Sequence, residues 1–77
     1  MLQSSAQLAS AATGERLLRL NDVEARTGLR KSSIYLWQKN GTFPAGIRLG
    51  PRAVAWPESE IANWIAEKIR SARGVQP

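Results

Sequence analysis

The sequence has 77 residues, enough for one small domain, and contains neither cysteine nor histidine. These absences exclude a disulfide scaffold, a thiolate nucleophile and the usual zinc sites, and they remove the commonest general acid and base. The net charge of +5 indicates a negatively charged partner.

The positive charge is concentrated in one segment. Residues 15–56 include eight basic and three acidic residues, which gives +5, whereas the rest of the sequence has three of each sign. This distribution is expected if one face of the fold meets a polyanion such as nucleic acid. A solvated surface that only keeps the protein dissolved would also account for it.

Residues 1–14 are mostly alanine, serine and glutamine and have no charge. We expect them to form a flexible tail, followed by a domain over residues 15–72 and a short flexible tail over residues 73–77. The first segment lacks the basic start and continuous apolar stretch of a signal peptide, and no run of about twenty apolar residues occurs in the sequence. The sequence therefore predicts a cytoplasmic protein with no membrane contact.

The first predicted element is a short strand or extended arm from Glu15 to Leu20, whose three leucines would anchor it to the core. A helix is then predicted from Asp22 to about Thr27, with Asn21 as N-cap and Glu24 completing a capping box. Gly28 would end this helix by adopting a left-handed conformation.

A second helix is predicted only two residues later, and such a short connection is typical of a helix-turn-helix. At helical spacing Ile34 and Trp37 face the core. The helix would end at Asn40 and Gly41, and Pro44 prevents its continuation. The outer face of this helix would present Ser32, Tyr35, Leu36 and Lys39.

From Ile47 to Trp56 the apolar residues recur with a period of two, which predicts a β-hairpin. Gly50 and Pro51 mark its turn. The alternation predicts that Ile47, Leu49, Val54 and Trp56 form the inward set. Arg48 and Arg52 would then point outward or lie at the tip.

A third helix is predicted from Pro57, which suits the first position of a helix. Its apolar residues Ile61, Trp64, Ile65 and Ile69 recur at helical spacing, so this helix would cover the core. The elements together predict an α+β fold that is mostly α: a small winged helix-turn-helix with three helices and a β-hairpin wing.

An α-helix fits the major groove of DNA, so the second helix would recognise double-stranded DNA while the wing contacts the neighbouring backbone. The basic residues at its start would meet a phosphate beside free amide groups. No catalytic residue, metal ligand or cofactor is predicted. The candidate DNA-binding residues are Arg30, Lys31, Ser32, Ser33, Tyr35, Leu36, Lys39, Arg48 and Arg52.

Several of these residues have a structural alternative. Ser32 and Ser33 would also suit N-terminal capping of the helix, and Tyr35 would also suit packing beneath the wing with only its hydroxyl exposed. Leu36 would contact either a thymine methyl group or a partner protomer. The wing arginines would also suit protection of an edge strand from pairing. The three tryptophans occupy inward positions and are expected in the core rather than stacked on bases.

The sequence also resembles the AlpA family of prophage regulatory proteins, which are related to MerR-like winged-helix and excisionase domains. The resemblance covers Arg16 to about Glu67. It rests on Arg16 to Leu20, Val23, Thr27-Gly28-Leu29, Ser32-Ser33-Ile34-Tyr35, Gly41, Phe43-Pro44, Leu49-Gly50, Arg52 to Trp56 and Glu58-Ser59-Glu60-Ile61.

The resemblance implies a transcriptional regulator of a prophage or mobile element, which in some relatives controls or assists integrase-mediated excision. The helix-turn-helix of the family corresponds to Asp22 to Asn40 and its wing to Ile47 to Trp56. Two residues depart from the family pattern: Arg30 stands where a capping serine is common, and Leu36 stands where an arginine often follows the tyrosine.

One such module contacts only a few base pairs, so specific binding predicts a homodimer or several protomers on repeated sites. An alternative is an adaptor that recruits an integrase or RNA polymerase and has weak DNA affinity of its own. An enzyme is not expected, because Glu58 and Glu60 are two positions apart on a helix and face in different directions.

Overall fold

The computed structural model describes residues 14–74. The expected tails at residues 1–14 and 73–77 lie largely outside this range. The elements in chain order are β1 (Leu17–Leu18), α1 (Leu20–Thr27), α2 (Lys31–Lys39), β2 (Ile47–Gly50), β3 (Ala53–Pro57) and α3 (Glu58–Ala72).

The helices α1 and α2 are separated by three residues that begin with Gly28. This glycine has a φ of 78°, and its amide donates to the carbonyl of Glu24 at 2.8 Å, so it ends α1 as expected. The hydroxyl of Thr27 accepts a hydrogen bond from the amide of Leu29 at 3.1 Å. This local chemistry produces the predicted helix-turn-helix.

The predicted start of α1 is wrong by two residues. The N-cap is Arg19, whose carbonyl accepts from the amides of Asp22 and Val23, each at 3.0 Å, and no side chain caps the helix. Asn21 is therefore inside the helix instead of capping it. Leu20, expected in the arm, packs against the core from the first turn.

The three strands form one antiparallel sheet in the order β1-β3-β2. Leu18 pairs with Trp56, and Arg48 pairs with Val54 across the hairpin. The register shifts between Arg48 and Gly50, which marks a β-bulge. The strands β2 and β3 are the predicted wing, and β1 extends the sheet on its other side.

Each helix and strand except β2 contributes a residue to the buried core cluster. Trp37 and Trp64 pack at its margin, and their rings lie 6.1 Å apart. All three tryptophans are thus used in packing, as expected. The buried cluster consists of Leu18, Val23, Ile34, Phe43, Trp56 and Ile61.

The expected inward orientation of Ile47 and Leu49 is wrong, because their exposed fractions are 44% and 50%. The strand β2 lies at the sheet edge and packs mainly on β3. The bulge also interrupts the alternation on which the prediction rested. Leu17 and Ile69, expected as anchors, are exposed as well. Leu17 precedes the buried Leu18 in β1, so its side chain points to the opposite face of the strand, and Ile69 lies beyond the buried part of α3.

The helix α3 begins after Pro57, which is the N-cap and the last residue of β3 rather than the first helical residue. Glu15 supplies the cap, because its carboxylate accepts hydrogen bonds from the amide and the hydroxyl of Ser59 at 3.1 and 2.6 Å. Glu58 lies 2.6 Å from Arg26 and 3.8 Å from Arg16. These contacts hold the arm and α1 against the start of α3.

The hydrogen bonds from Ser59 lower the pKa of Glu15 below its ordinary value of 4.5. A lowered pKa in the folded state stabilises the protein above pH 4.5, and this contribution is lost as the pH falls through the folded pKa. We expect Glu15→Gln to lower the free energy of unfolding at pH 7, and the difference from the parent chain to shrink as the pH drops below 4.5.

Urea unfolding followed by tryptophan fluorescence at several pH values measures this difference. Glu60→Gln is the matched control, because it removes a carboxylate from the first turn of the same helix. If both variants showed the same pH dependence of stability, the loss would come from the interaction of a carboxylate with the helix dipole. That result would contradict the role of Glu15 as the cap.

Candidate nucleic-acid interface

The helix α2 has one exposed side, which runs along its length. Ser32, Tyr35, Leu36 and Lys39 are all exposed, as expected from their spacing, whereas Ser33 is half-buried. Leu36 is the most exposed of the large apolar residues between residues 14 and 74, at 54%. This side therefore offers a hydroxyl, a phenol, an apolar surface and an amine to a partner.

The start of α2 has no side-chain cap. Arg30 is the N-cap residue, and an arginine has no side-chain acceptor for the first amides of the helix. The alternative that Ser32 or Ser33 caps the helix is wrong, because both lie inside it. The first-turn amides and two exposed cations, Arg30 and Lys31, therefore lie together at the positive end of the helix.

Tyr35 packs against Trp56 and is also exposed. The two ring centroids are 6.4 Å apart, and 40% of Tyr35 is accessible to solvent. The packing alternative is therefore correct only in part, since the ring lies against Trp56 but Tyr35 remains exposed.

The two wing arginines differ in their contacts. Arg48 donates from Nη1 to the carbonyl of Pro51 at 3.1 Å, so it braces the turn of the wing. Arg52 lies in that turn and is exposed. The wing therefore presents Arg52 at its tip, while part of the donor capacity of Arg48 is used within the hairpin.

The wing is attached to α2 by Gln38. The Oε1 atom of Gln38 accepts from the amide of Gly46 at 3.1 Å and from the indole of Trp56 at 3.3 Å. Gly46 is also sterically required, because a Cβ at this position would lie 2.5 Å from Cγ1 of Val54. The loop before the wing can therefore lie close against β3, where its amide reaches Gln38.

Ion pairs divide the basic residues of the positive segment into two groups. Arg16 and Arg26 pair with Glu58, on the side that faces α3. Within residues 14–74 the other six form no salt bridge with a carboxylate. They are Arg19, Arg30, Lys31, Lys39, Arg48 and Arg52, and all six are exposed. The charge that remains for a partner thus comes from the arm, α2 and the wing.

Two hollows adjoin Tyr35. The first is lined by Glu24, Arg30, Lys31, Ser32 and Tyr35. The second is lined by Arg19, Leu20, Asn21, Tyr35, Arg52 and Val54. The structure thus brings together five of the predicted site residues around these hollows, whereas Ser33, Leu36, Lys39 and Arg48 line neither of them.

The sequence prediction omitted Arg19 and Asn21 from the site. Arg19 reaches the wing because β1 pairs with β3, and its Nε donates to the carbonyl of Val54 at 3.1 Å. No local pattern indicates a pairing between segments so far apart in the chain. The excess of basic residues between Glu15 and Trp56 included Arg19 but did not indicate its position beside the wing.

The fold and this surface define a small winged helix-turn-helix with an exposed basic face formed by its second helix, wing and arm. Residues 16–69 match the family model described as prophage CP4-57 regulatory protein (AlpA). The chain belongs to the AlpA family, and the family expected from the sequence is confirmed.

Two relatives show how far the similarity extends. The chain is 42% identical over 57 residues to the uncharacterized protein ORF88 of Enterobacteria phage P4, an alignment that covers 74% of this chain and 65% of that protein. It is 34% identical over 61 residues to the DNA-binding transcriptional activator AlpA of Escherichia coli strain K12. That alignment covers 71% of this chain and 87% of that protein.

Two further observations concern residues 14–74. No helix in this range has the length and apolar character needed to cross a membrane. The same residues contain no group of three or more acidic side chains placed to hold a metal ion.

Replacing Gln38 tests how the wing is attached. Gln38→Leu removes the acceptor of the half-buried Gly46 amide and is expected to cost about 1 kcal/mol of unfolding free energy, the usual net contribution of one hydrogen bond. The indole of Trp56 keeps its bond to the carbonyl of Pro44 at 3.0 Å. Urea unfolding measures the loss.

Asn40→Leu is the matched control, because it replaces another side-chain amide with leucine at the exposed end of α2. It should change stability by less than Gln38→Leu. An equal or smaller loss in the Gln38 variant would show that Gln38 does not attach the wing.

Proposed function

We propose that this protein binds double-stranded DNA sequence-specifically and regulates transcription in a prophage or mobile element. The observation that supports this most directly is the set of six exposed cations without a carboxylate partner among residues 14–74. They lie on the elements that a winged helix-turn-helix presents to DNA. The similarity to the E. coli relative, a DNA-binding transcriptional activator, also supports the proposal.

In this mechanism α2 enters the major groove. Ser32, Tyr35 and Lys39 are exposed along one side of the helix, where side chains reach base edges and phosphates. Arg30 and Lys31 meet a phosphate at the start of the helix, where the uncapped amides also favour an anion. Leu36 supplies apolar contact to a thymine methyl group or to a second protomer.

The wing contacts the backbone beside this site. Arg52 at the tip and Arg48 on the strand contribute positive charge there, and release of counterions from DNA supplies much of the affinity. A single module of this size contacts few base pairs, so we propose that several protomers occupy repeated sites. Whether the protein activates, represses or assists excision depends on where these sites lie relative to promoters and integrase sites.

A fluorescence titration of purified protein with the DNA upstream of its own gene tests the proposal. The logarithm of the affinity should fall linearly with the logarithm of salt concentration. Lys31→Ala and Lys39→Ala should each weaken binding, and each phosphate contact that is lost should reduce the salt slope by about 1.

Arg73→Gln is the control, because it removes the same amount of charge from the end of α3, outside the proposed interface. Binding that is insensitive to salt, or that responds equally to all three variants, would refute the proposal. Binding that requires an added integrase or polymerase would instead identify the protein as an adaptor.

A further inference from the structure

The second hollow described above, between the arm, α2 and the wing, has the composition of an anion site. Its lining includes two arginines, a tyrosine and an asparagine, and no carboxylate. We infer that Arg19, Tyr35 and Arg52 jointly bind a single phosphate of the DNA backbone. This inference rests on the proposed function and adds Arg19 to the interface as a positioned phosphate ligand.

Arg19 is held in place before any ligand binds. Its carbonyl starts α1, and its Nε donates to the carbonyl of Val54 at 3.1 Å. A guanidinium has five N–H donors, so this bond leaves four on the terminal nitrogens. The arginine is thus fixed along one edge and can donate to two oxygens of a phosphate with the other.

The other two ligands come from different elements. Tyr35 is supported by Trp56, with ring centroids 6.4 Å apart, so its phenol has a defined place beside the hollow. Arg52 lies in the turn of the wing and has no salt bridge among residues 14–74. Three donors from the arm, the recognition helix and the wing therefore line one hollow.

Electrostatics favours the binding of an anion in this hollow over binding in the neighbouring hollow. The neighbouring hollow contains Glu24 beside Arg30 and Lys31, so part of its positive charge is offset. In the second hollow two guanidinium groups face one space with no acidic residue in the lining. These two groups repel each other, and a phosphate that lies between them and accepts hydrogen bonds from both relieves the repulsion.

A phosphate bound here would set the register of the protein on DNA, since it contacts the helix and the wing at once. Phosphate contacts position a protein and do not read bases. Loss of this site should therefore weaken binding to all sequences by a similar factor and leave the order of sequence preference unchanged.

The test uses a duplex selected by the full-length protein from a random library. Arg19→Gln, Arg52→Gln and Tyr35→Phe are each expected to weaken binding about tenfold, the usual effect of losing one charge-assisted hydrogen bond. Duplexes with one neutral methylphosphonate at each position in turn are then titrated with every variant. At one phosphate position the losses from all three variants should disappear together, as in a double-mutant cycle.

Lys39→Gln is the matched control, because this exposed cation is on α2 but does not line the hollow. Its effect should persist at the position where the other three effects vanish. Arg52→Gln is measured first, because the Arg52 side chain is exposed and forms no salt bridge within residues 14–74. Urea unfolding checks that Arg19→Gln still folds. If Arg19→Gln is unstable, Arg52→Gln and Tyr35→Phe must still converge on one phosphate.

The losses from the variants could instead disappear at different phosphate positions, or at none, while the parent protein still binds the duplex. That result would overturn the shared site and leave the proposed function intact. Failure of the parent protein to select or bind any duplex would refute the proposed function itself.

Discussion

The indole of Trp56 is fully buried, and its N–H donates to the carbonyl of Pro44 at 3.0 Å and to Gln38 at 3.3 Å. Its backbone pairs with Leu18, and its ring supports Tyr35. One residue thus links the arm, α2, the loop before the wing and the wing itself. A domain with so small a core gains rigidity when a single large residue connects several of its elements.

This framework separates the charges that hold the fold from those left for a partner. Arg16 and Arg26 share the carboxylate of Glu58 and secure α3, so part of their positive charge is offset within the fold. The remaining cations of the segment project from elements whose positions are fixed by Trp56 and Gln38. Because these side chains extend from elements that are already fixed, binding costs less conformational entropy.

Much of this was predictable from local chemistry. Gly28 and the helical spacing of Ile34 and Trp37 predicted the helix-turn-helix, and the two-residue period predicted the wing. The errors arose where tertiary contacts decide. Asn21 did not cap α1 because Leu20 packs into the core from the first turn, and no propensity scale includes that burial. Arg19 was missed because strand pairing alone brings it to the wing.

The pairing of β1 with β3 also determines the order in which the protein can assemble during synthesis. Glu15 emerges from the ribosome long before Ser59, its partner 44 residues later, so the arm cannot be fixed until the start of α3 has been made. Helices of eight and nine residues are only marginally stable in water, so α1 and α2 depend on the core residues that β3 and α3 supply. The hollow lined by Arg19, Tyr35 and Arg52 therefore forms only after β3 has been translated, and a chain interrupted before Trp56 lacks both this hollow and the packing that stabilises α2.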